Sequence, residues 1–541
     1  MAGSGQGGCG YAKNWKIRNT YYAVTKVIYE IRSRKSCSFC NTRKCSSRCF
    51  KGRRRFTEPT PPLKTTLGRA VGCLNESRNF RPICLSKIVK KLLLHSTKLP
   101  GPGDAISATS QYQIIRMKNL FFFTLLFLSQ AAFAQPANLE AQLFDLPDVQ
   151  FKKIESPAGF EAAYELKIKQ PIDHQHPEKG HFYQRVFLTH KGFDRPMIIC
   201  TEGYQRPANR MYELTEILGA NQLDVEHRYF GESVPENADF QYLNLEQATA
   251  DLHHINQLFR KIYQGKWIST GISKGGQTTI YYRYFYPNDV DISVPYVAPL
   301  NLALEEKRIY TFLDTVGTKE CRQKIYEVQK RILENREASM LRLHWYAKGA
   351  GLKFTYLSED EAFEYAVLEY PFSFWQWGHD CAAIPGKNAT LDETLDHFLG
   401  ISGMDFFADQ SMMDYASHYW QAGDEMGYYS YETAKFKGLL KALPTNANPS
   451  AIFMPKRGEK TGFDGKLPAK VHEWLKTNDN YFIYINGDSD TWSATAVRPS
   501  GKTNAVYFFM PNTDHRKARI KNMNESDREK LMSTLNKWLE E

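Results

Sequence analysis

Lys266-Trp-Ile-Ser-Thr-Gly271-Ile-Ser273-Lys-Gly275-Gly-Gln-Thr-Thr-Ile280-Tyr-Tyr-Arg-Tyr-Phe-Tyr286 is the stretch on which the reading of this 541-residue chain turns. A short apolar, β-branched run from Trp267 to Thr270 meets Gly271-Ile-Ser273-Lys-Gly275, and a helix-length segment rich in Thr, Ile and Tyr follows. Strand, sharp turn and helix around G-x-S-x-G form a nucleophile elbow. The residue types follow from the chemistry. A serine hydroxyl is a weak nucleophile and has to project from a turn to meet both a base and a substrate. Such a turn strains the backbone and leaves little room beside the serine, which explains glycine at 271 and 275.

Upstream of this stretch the composition is uneven. Residues 1–116 hold 23 Lys and Arg against 4 Asp and Glu, whereas residues 117–541 hold 47 against 55. The formal charge of +11 therefore belongs to the first segment, as do seven of the ten cysteines. At Met117-Lys118-Asn119 a second pattern begins: one lysine, the apolar run Leu120 to Leu128, then Ala132-Phe133-Ala134. A basic start, a short apolar segment and an A-x-A site describe a secretory signal peptide. The run is too short for a membrane span of about 20 residues. We take residues 1–116 as translated upstream sequence, 117–134 as the signal peptide and Gln135 as the start of the exported chain, periplasmic or extracellular. A rival reading pairs Cys37-x2-Cys40 with Cys45-x3-Cys49 as a zinc module for nucleic acid. Only Asn41 to Lys44 separate the two pairs, against the roughly 12–20 residues such modules use. Of the remaining cysteines, Cys200 sits in an apolar run, while Cys321 and Cys381 are a candidate disulfide. No metal-ligand cluster appears, and no cofactor is expected.

The exported part alternates strands and helices. Phe160–Lys169 reads as a strand pair laid against the main sheet. His181–His190, Pro196–Thr201, Gln222–Arg228, Trp267–Thr270 and Val290–Ala298 read as strands. Met211–Leu218 and Leu245–Tyr263 read as helices. Residues 300–450 are helix-rich and aromatic, and strands return at Tyr481–Asn486 and Ala505–Met510, before a final helix, Ser526–Leu539, capped by Ser526. This pattern predicts an α/β fold with a mostly parallel sheet, its core in residues 135–299 and 451–541, and a helical lid inserted at 300–450.

An acyl-transfer serine needs a base, an orienting carboxylate and an oxyanion hole. In an α/β-hydrolase the triad follows the order Ser, Asp, His, each member just after a strand. Tyr481–Asn486 runs into Gly487-Asp488-Ser489-Asp490, and Ala505–Met510 runs into Pro511-Asn512-Thr513-Asp514-His515. Ser273, Asp490 (with Asp488 as the alternative) and His515 are the expected triad. The oxyanion donors are expected at the amide of Lys274 and at Gly203 or Tyr204, in the loop after Thr201.

With those residues in place the chain resembles a known group. Glu226-His-Arg-Tyr-Phe-Gly-Glu232-Ser233, Gly271-Ile-Ser-Lys-Gly-Gly276 and Asp490-Thr-Trp492 are similar to segments of the secreted serine exopeptidases related to prolyl carboxypeptidase and dipeptidyl peptidase II. Thr201-Glu-Gly-Tyr204 and Phe372-Ser-Phe-Trp-Gln-Trp377 resemble the bacterial PS-10 type of aminopeptidase more closely. The resemblance covers most of residues 140–541. It implies an α/β-hydrolase with a helical lid that removes short peptides from N-termini, with a proline pocket. The chain departs from the pattern after the acid, with Asp-Thr-Trp for the usual Asp-Pro-Trp, and around the base, with Asp-His-Arg for small residues. An aminopeptidase needs a carboxylate for the substrate's α-ammonium group. Glu202 is the first candidate and Glu232 the second. The expected partners are peptides, with no nucleic acid and no stable membrane insertion. A carboxypeptidase, an esterase or lipase on the same triad, and a binding protein with a dead site are the rivals.

Overall fold

The computed structural model describes residues 138–443, 453–456 and 459–541, so the expectations for residues 1–116 and for the signal peptide lie outside the described residues. Nine strands form one sheet: β1 (Val149–Ile154), β2 (Ala162–Pro171), β3 (His181–His190), β4 (Met197–Thr201), β5 (Asn221–Val225), β6 (Trp267–Ile272), β7 (Ile292–Tyr296), β8 (Ile483–Gly487) and β9 (Val506–Met510). Their order is β1-β2-β3-β5-β4-β6-β7-β8-β9. The first three strands, joined by short links, pair antiparallel, and β3 meets β5 antiparallel. Every pairing from β5 onward is parallel; β4 follows β3 through a short link, and β5 to β9 are each reached by a longer crossover. The carboxyl ends of β4 to β9 therefore share one edge, where ligands gather in open α/β sheets.

The helices are α1 (Leu139–Phe144), α2 (Glu213–Leu218), α3 (Leu245–Phe259), α4 (Lys274–Phe285), α5 (Arg308–Thr315), α6 (Lys319–Glu334), α7 (Arg336–Ala350), α8 (Glu359–Gln376), α9 (Leu391–Leu399), α10 (Asp409–Asp414), α11 (Ala416–Gln421), α12 (Lys466–Asn478) and α13 (Glu525–Glu540). Residues 197–201 alternate between two cores. Met197 and Ile199 pack with Leu252, Ile255 and Phe259 of α3, while Ile198 and Cys200 pack on the other face with Leu531, Leu535 and Trp538 of α13. A strand covered on both faces has no reason to alternate with polar residues, so β4 reads as an unbroken apolar run. Cys200 is a buried free thiol, and burial pushes its pKa up. Helices α5 to α11 lie between β7 and β8 in sequence and form a lid with a core of its own, built around Phe363, Tyr365, Tyr370 and Phe374 of α8. Cys321 and Cys381 are disulfide-bonded across that lid.

Three local expectations differ from what folds. The segment at 160–169 is not a hairpin but one long strand, β2, that pairs with β1 on one side and β3 on the other. The strand expected from Tyr481 begins at Ile483, because Tyr481 sits at φ +62°, outside the extended region. Helix α13 is capped not by Ser526 but by Asn524, whose side chain accepts from the Asp527 amide. Asn is at least as good a cap as Ser, and here it comes first in the chain.

Candidate active site

Strand β6 ends at Ile272, α4 begins at Lys274, and Ser273 between them takes φ +60° and ψ −123°. Such a backbone costs a non-glycine residue about 1–3 kcal/mol and persists only where neighbours enforce it. The neighbours here are close. The Ser273 amide donates to the Tyr296 carbonyl at 2.9 Å. A Cβ at Gly271 would stand 2.3 Å from the Gly275 carbonyl oxygen, and one at Gly275 would stand 2.4 Å from that of Thr201. Both flanking positions of the elbow are therefore closed to any side chain. Ser273 itself is half-buried at the carboxyl edge of the sheet.

Two strands along, Asp490 follows β8, and His515 follows β9. His515 Nδ1 donates to Asp490 Oδ2 at 2.7 Å, and Asp490 Oδ1 accepts from the Trp492 amide at 3.1 Å. Both side chains are buried. Asp488, by contrast, is exposed and accepts from the Ser489 hydroxyl. It is Asp490 that carries the bond to the imidazole. The sequence departures noted around these residues have local causes. Thr491 donates through Oγ1 to the Phe372 carbonyl of α8 at 3.0 Å, a tie to the lid that proline in its place would lack. Asp514 accepts from the amides of Arg516 and Lys517, closing the turn that presents His515. Arg516 lies over the ring of Trp377, and that ring meets His515 edge-on at 5.9 Å.

The loop after β4 lies against the elbow. A Cβ at Gly203 would fall 2.6 Å from Lys274 Cβ and 2.9 Å from the Gly275 amide nitrogen. Tyr204 packs edge-on against Phe230 at 5.6 Å and against Tyr415 of the lid at 5.8 Å. Glu202 is nearly buried and already engaged: Tyr212 donates its hydroxyl to it, Arg206 is ion-paired with it, and Arg210 Nη2 lies 3.6 Å away. Arg206 also faces Asp224 at 2.9 Å. Glu232 is half exposed and pairs with Arg185 at 2.8 Å and Lys167 at 3.2 Å, on β3 and β2. So Ser273, Lys274, Gly203, Tyr204, Asp490 and His515 share one sheet edge, while Glu202 faces two arginines and Glu232 an arginine and a lysine.

Sequence reasoning missed the organisers. Glu226 is fully buried and accepts from Arg185 at 2.6 Å, from the amides of Arg206 at 2.6 Å and Glu232 at 2.9 Å, and from the Ser233 hydroxyl at 2.8 Å. Arg228, also fully buried, is held by both Asp251 oxygens at 2.7 Å. The Glu-His-Arg-Tyr-Phe-Gly-Glu-Ser segment is thus a charged scaffold under the site, and the charged residues inside an otherwise buried run were its signal. A cavity of about 400 Å³ lies within the lid, lined by Tyr310, Phe372, Trp375 and Tyr431 among others; none of Ser273, Asp490 and His515 lines it.

The family model for PS-10 peptidase S37 matches residues 134–538. The chain belongs to the PS-10 peptidase S37 family. Among its relatives is the prolyl tri/tetrapeptidyl aminopeptidase of Streptomyces mobaraensis, 32% identical over 413 residues, covering 75% of this chain and 86% of that one. The serine protease vicPb of Bipolaris victoriae is 40% identical over 104 residues, covering 16% of this chain and 19% of its own. This S37 chain is a serine peptidase of the α/β-hydrolase fold: the elbow, the strand order and the family membership agree. Among the described residues no helix is long and apolar enough to cross a membrane.

Proposed function

We propose that the protein is an exported aminopeptidase that releases short peptides from free N-termini through an acyl-enzyme on Ser273. The observation that carries the reading is the 2.7 Å bond from His515 Nδ1 to Asp490, at the sheet edge where the elbow presents Ser273. With Nδ1–H committed to the carboxylate, Nε2 is left as the basic nitrogen. It takes the serine proton on attack and returns it to the leaving amine, while Asp490 holds the tautomer and stabilises the imidazolium. The tetrahedral oxyanion is met by the amide of Lys274, an uncommitted first-turn N–H at the positive end of α4, and by the Gly203–Tyr204 loop. The relative from Streptomyces supports release of three or four residues after proline. Trp492, two residues after Asp490, packs on Phe372 and Tyr429 of the lid core, an aromatic surface of the kind that suits an apolar side chain. The disulfide between Cys321 and Cys381 supports export, since such bonds persist in oxidising compartments.

The test is a mixture of free and N-acetylated peptides, with and without proline, incubated with wild type and Ser273→Ala and read by mass spectrometry. Loss of N-terminal tri- or tetrapeptides from free peptides alone, abolished in the variant, supports the reading. Loss of C-terminal residues makes it a carboxypeptidase. Cleavage of esters with all peptides intact replaces the peptide substrate.

A further inference from the structure

Lys274 does more than supply a backbone amide. The residue is 3% exposed, yet among the described residues no carboxylate pairs with its ammonium. Nζ donates instead to the Gly203 carbonyl and to Gln421 Oε1, each at 2.7 Å, and lies 5.0 Å from the ring centre of Phe230 and 5.4 Å from that of Tyr204. Burial pushes its pKa down to about 7 against the opposing pull of Glu425, a carboxylate itself pushed up to about 8 by burial. A buried ammonium held by neutral oxygens is an expensive arrangement that is retained only where the geometry has a use. The two acceptors come from different parts of the molecule. Gly203 belongs to the loop pressed on the elbow, and Gln421 is the last residue of lid helix α11. The same short helix reaches the site's floor twice more: Ser417 donates to the Tyr229 carbonyl at 2.9 Å, and His418 packs on Tyr204 at 5.6 Å.

We propose that the Lys274 side chain is a positioning residue that locks the oxyanion loop to the lid, so that the second oxyanion donor is aligned only while α11 is seated. The peptide group supplies the mechanism. It is planar and trans, so a carbonyl held on one side points the N–H of the next residue to the other. Gripping the Gly203 oxygen therefore fixes the direction of the Tyr204 N–H, and the grip on Gln421 ties that direction to the lid. A single residue then provides one oxyanion donor from its backbone and sets the other through its side chain.

This inference rests on Ser273 being the nucleophile, and wild type against Ser273→Ala tests that separately. The full-length enzyme is compared with Lys274→Met, Gln421→Leu and the double variant, using the best-cleaved free peptide and a peptide aldehyde of the same sequence. The aldehyde forms a hemiacetal through the serine oxygen and so reports on the oxyanion site. In Lys274→Met we expect kcat to fall about 30–100-fold, somewhat less than the loss of a whole donor, with KM within about threefold. The aldehyde inhibition constant should rise in step with the loss in kcat. Gln421→Leu should lose about 3–10-fold in the same direction, and the double variant should be no slower than Lys274→Met, because both break one lock. A Lys274→Met enzyme with kcat within threefold of wild type overturns the proposal. So do losses that multiply in the double variant, or unchanged aldehyde affinity. If Lys274→Met does not fold, Gln421→Leu carries the test through the same aldehyde, since it cuts the lid half of the lock and leaves the elbow intact.

Discussion

Ser273 owes its place to the residues around it, and each of those makes a separate demand. The left-handed φ of the serine is enforced by the Tyr296 carbonyl on its amide and by two glycines whose hydrogens face carbonyl oxygens. Asp490 makes a different kind of contribution. Its carboxylate is fully buried and spans the His515 imidazole and the Trp492 amide, so replacing it by an amide of equal size keeps the packing and spoils the tautomer. Asp490→Asn is expected to fold normally and to lose about 10⁴ in kcat. Steady-state kinetics on a chromogenic peptide checks this, and a loss under tenfold means His515 is not oriented by that bond. For the ammonium-binding carboxylate, charge already committed is the deciding quantity. Glu202 shares its charge with Arg206 and Arg210, and Glu232 with Arg185 and Lys167. Glu202→Gln is therefore expected to lower the melting temperature while keeping the preference for free over acetylated N-termini. A collapse of that preference in Glu202→Gln or in Glu232→Gln would instead assign that residue to the substrate's ammonium group.

Among the elements, helix α8 connects the lid to the chemistry. It opens with a capping box, Ser358 with Glu361, and buries most of its length in the lid core. Pro371 inside it has no N–H, which strips the Val367 carbonyl of its partner four residues later. Gln329 of α6 fills the gap, donating through Nε2 to that carbonyl at 2.8 Å. Nearer its end the helix reaches the loops that carry Asp490 and His515: the Phe372 carbonyl accepts from the Thr491 hydroxyl, and the Gln376 carbonyl, free at the helix terminus, accepts from the His515 amide at 3.1 Å. The proline is tolerated because a neighbouring helix repairs the break. Gln329→Leu is expected to leave a buried carbonyl unsatisfied and to destabilise the protein by about 1–3 kcal/mol. Urea unfolding measures this, and a change below about 0.5 kcal/mol would mean that the carbonyl finds another donor. A second expectation follows from position. Because α8 also holds the loops of Asp490 and His515, the variant should lose activity on warming before it loses helix content.

At the scale of the whole molecule, the sequence showed what repeats locally and hid what closes over distance. The apolar run of β4, the elbow after β6, and the turns that carry Asp490 and His515 after β8 and β9 were legible because each is a pattern within a few residues. Asp490 could not be separated from Asp488 in the sequence, since both follow β8 and only the pose of His515 chooses between them. The grip of Lys274 on Gln421 was invisible for the same reason, the partners being 147 positions apart in the chain. So was the charge state of the lid interior, in which burial is the largest influence. Glu369 of α8 is buried and accepts from the hydroxyls of Ser373, Tyr429 and Tyr431, each at 2.8 Å. Burial raises its pKa from an ordinary 4.5 to about 7, against the lowering effect of those three bonds. The folded protein then keeps a proton there that the unfolded chain has released, and stability falls as pH rises from about 4.5 through 7. Glu425, raised to about 8, acts with the same sign and extends the window, whereas Lys274, lowered to about 7, adds stability between 7 and its ordinary value near 10.5. The expected profile declines from pH 5 toward neutrality and turns up in the alkaline range. Glu369→Gln keeps an acceptor for the hydroxyls and has no charge to bury. Its stability relative to wild type should match at pH 5 and gain up to about 3 kcal/mol by pH 8. Urea unfolding at both pH values decides the matter: curves that stay parallel would show that Glu369 is ionised throughout and that the lid interior is wetter than its packing implies.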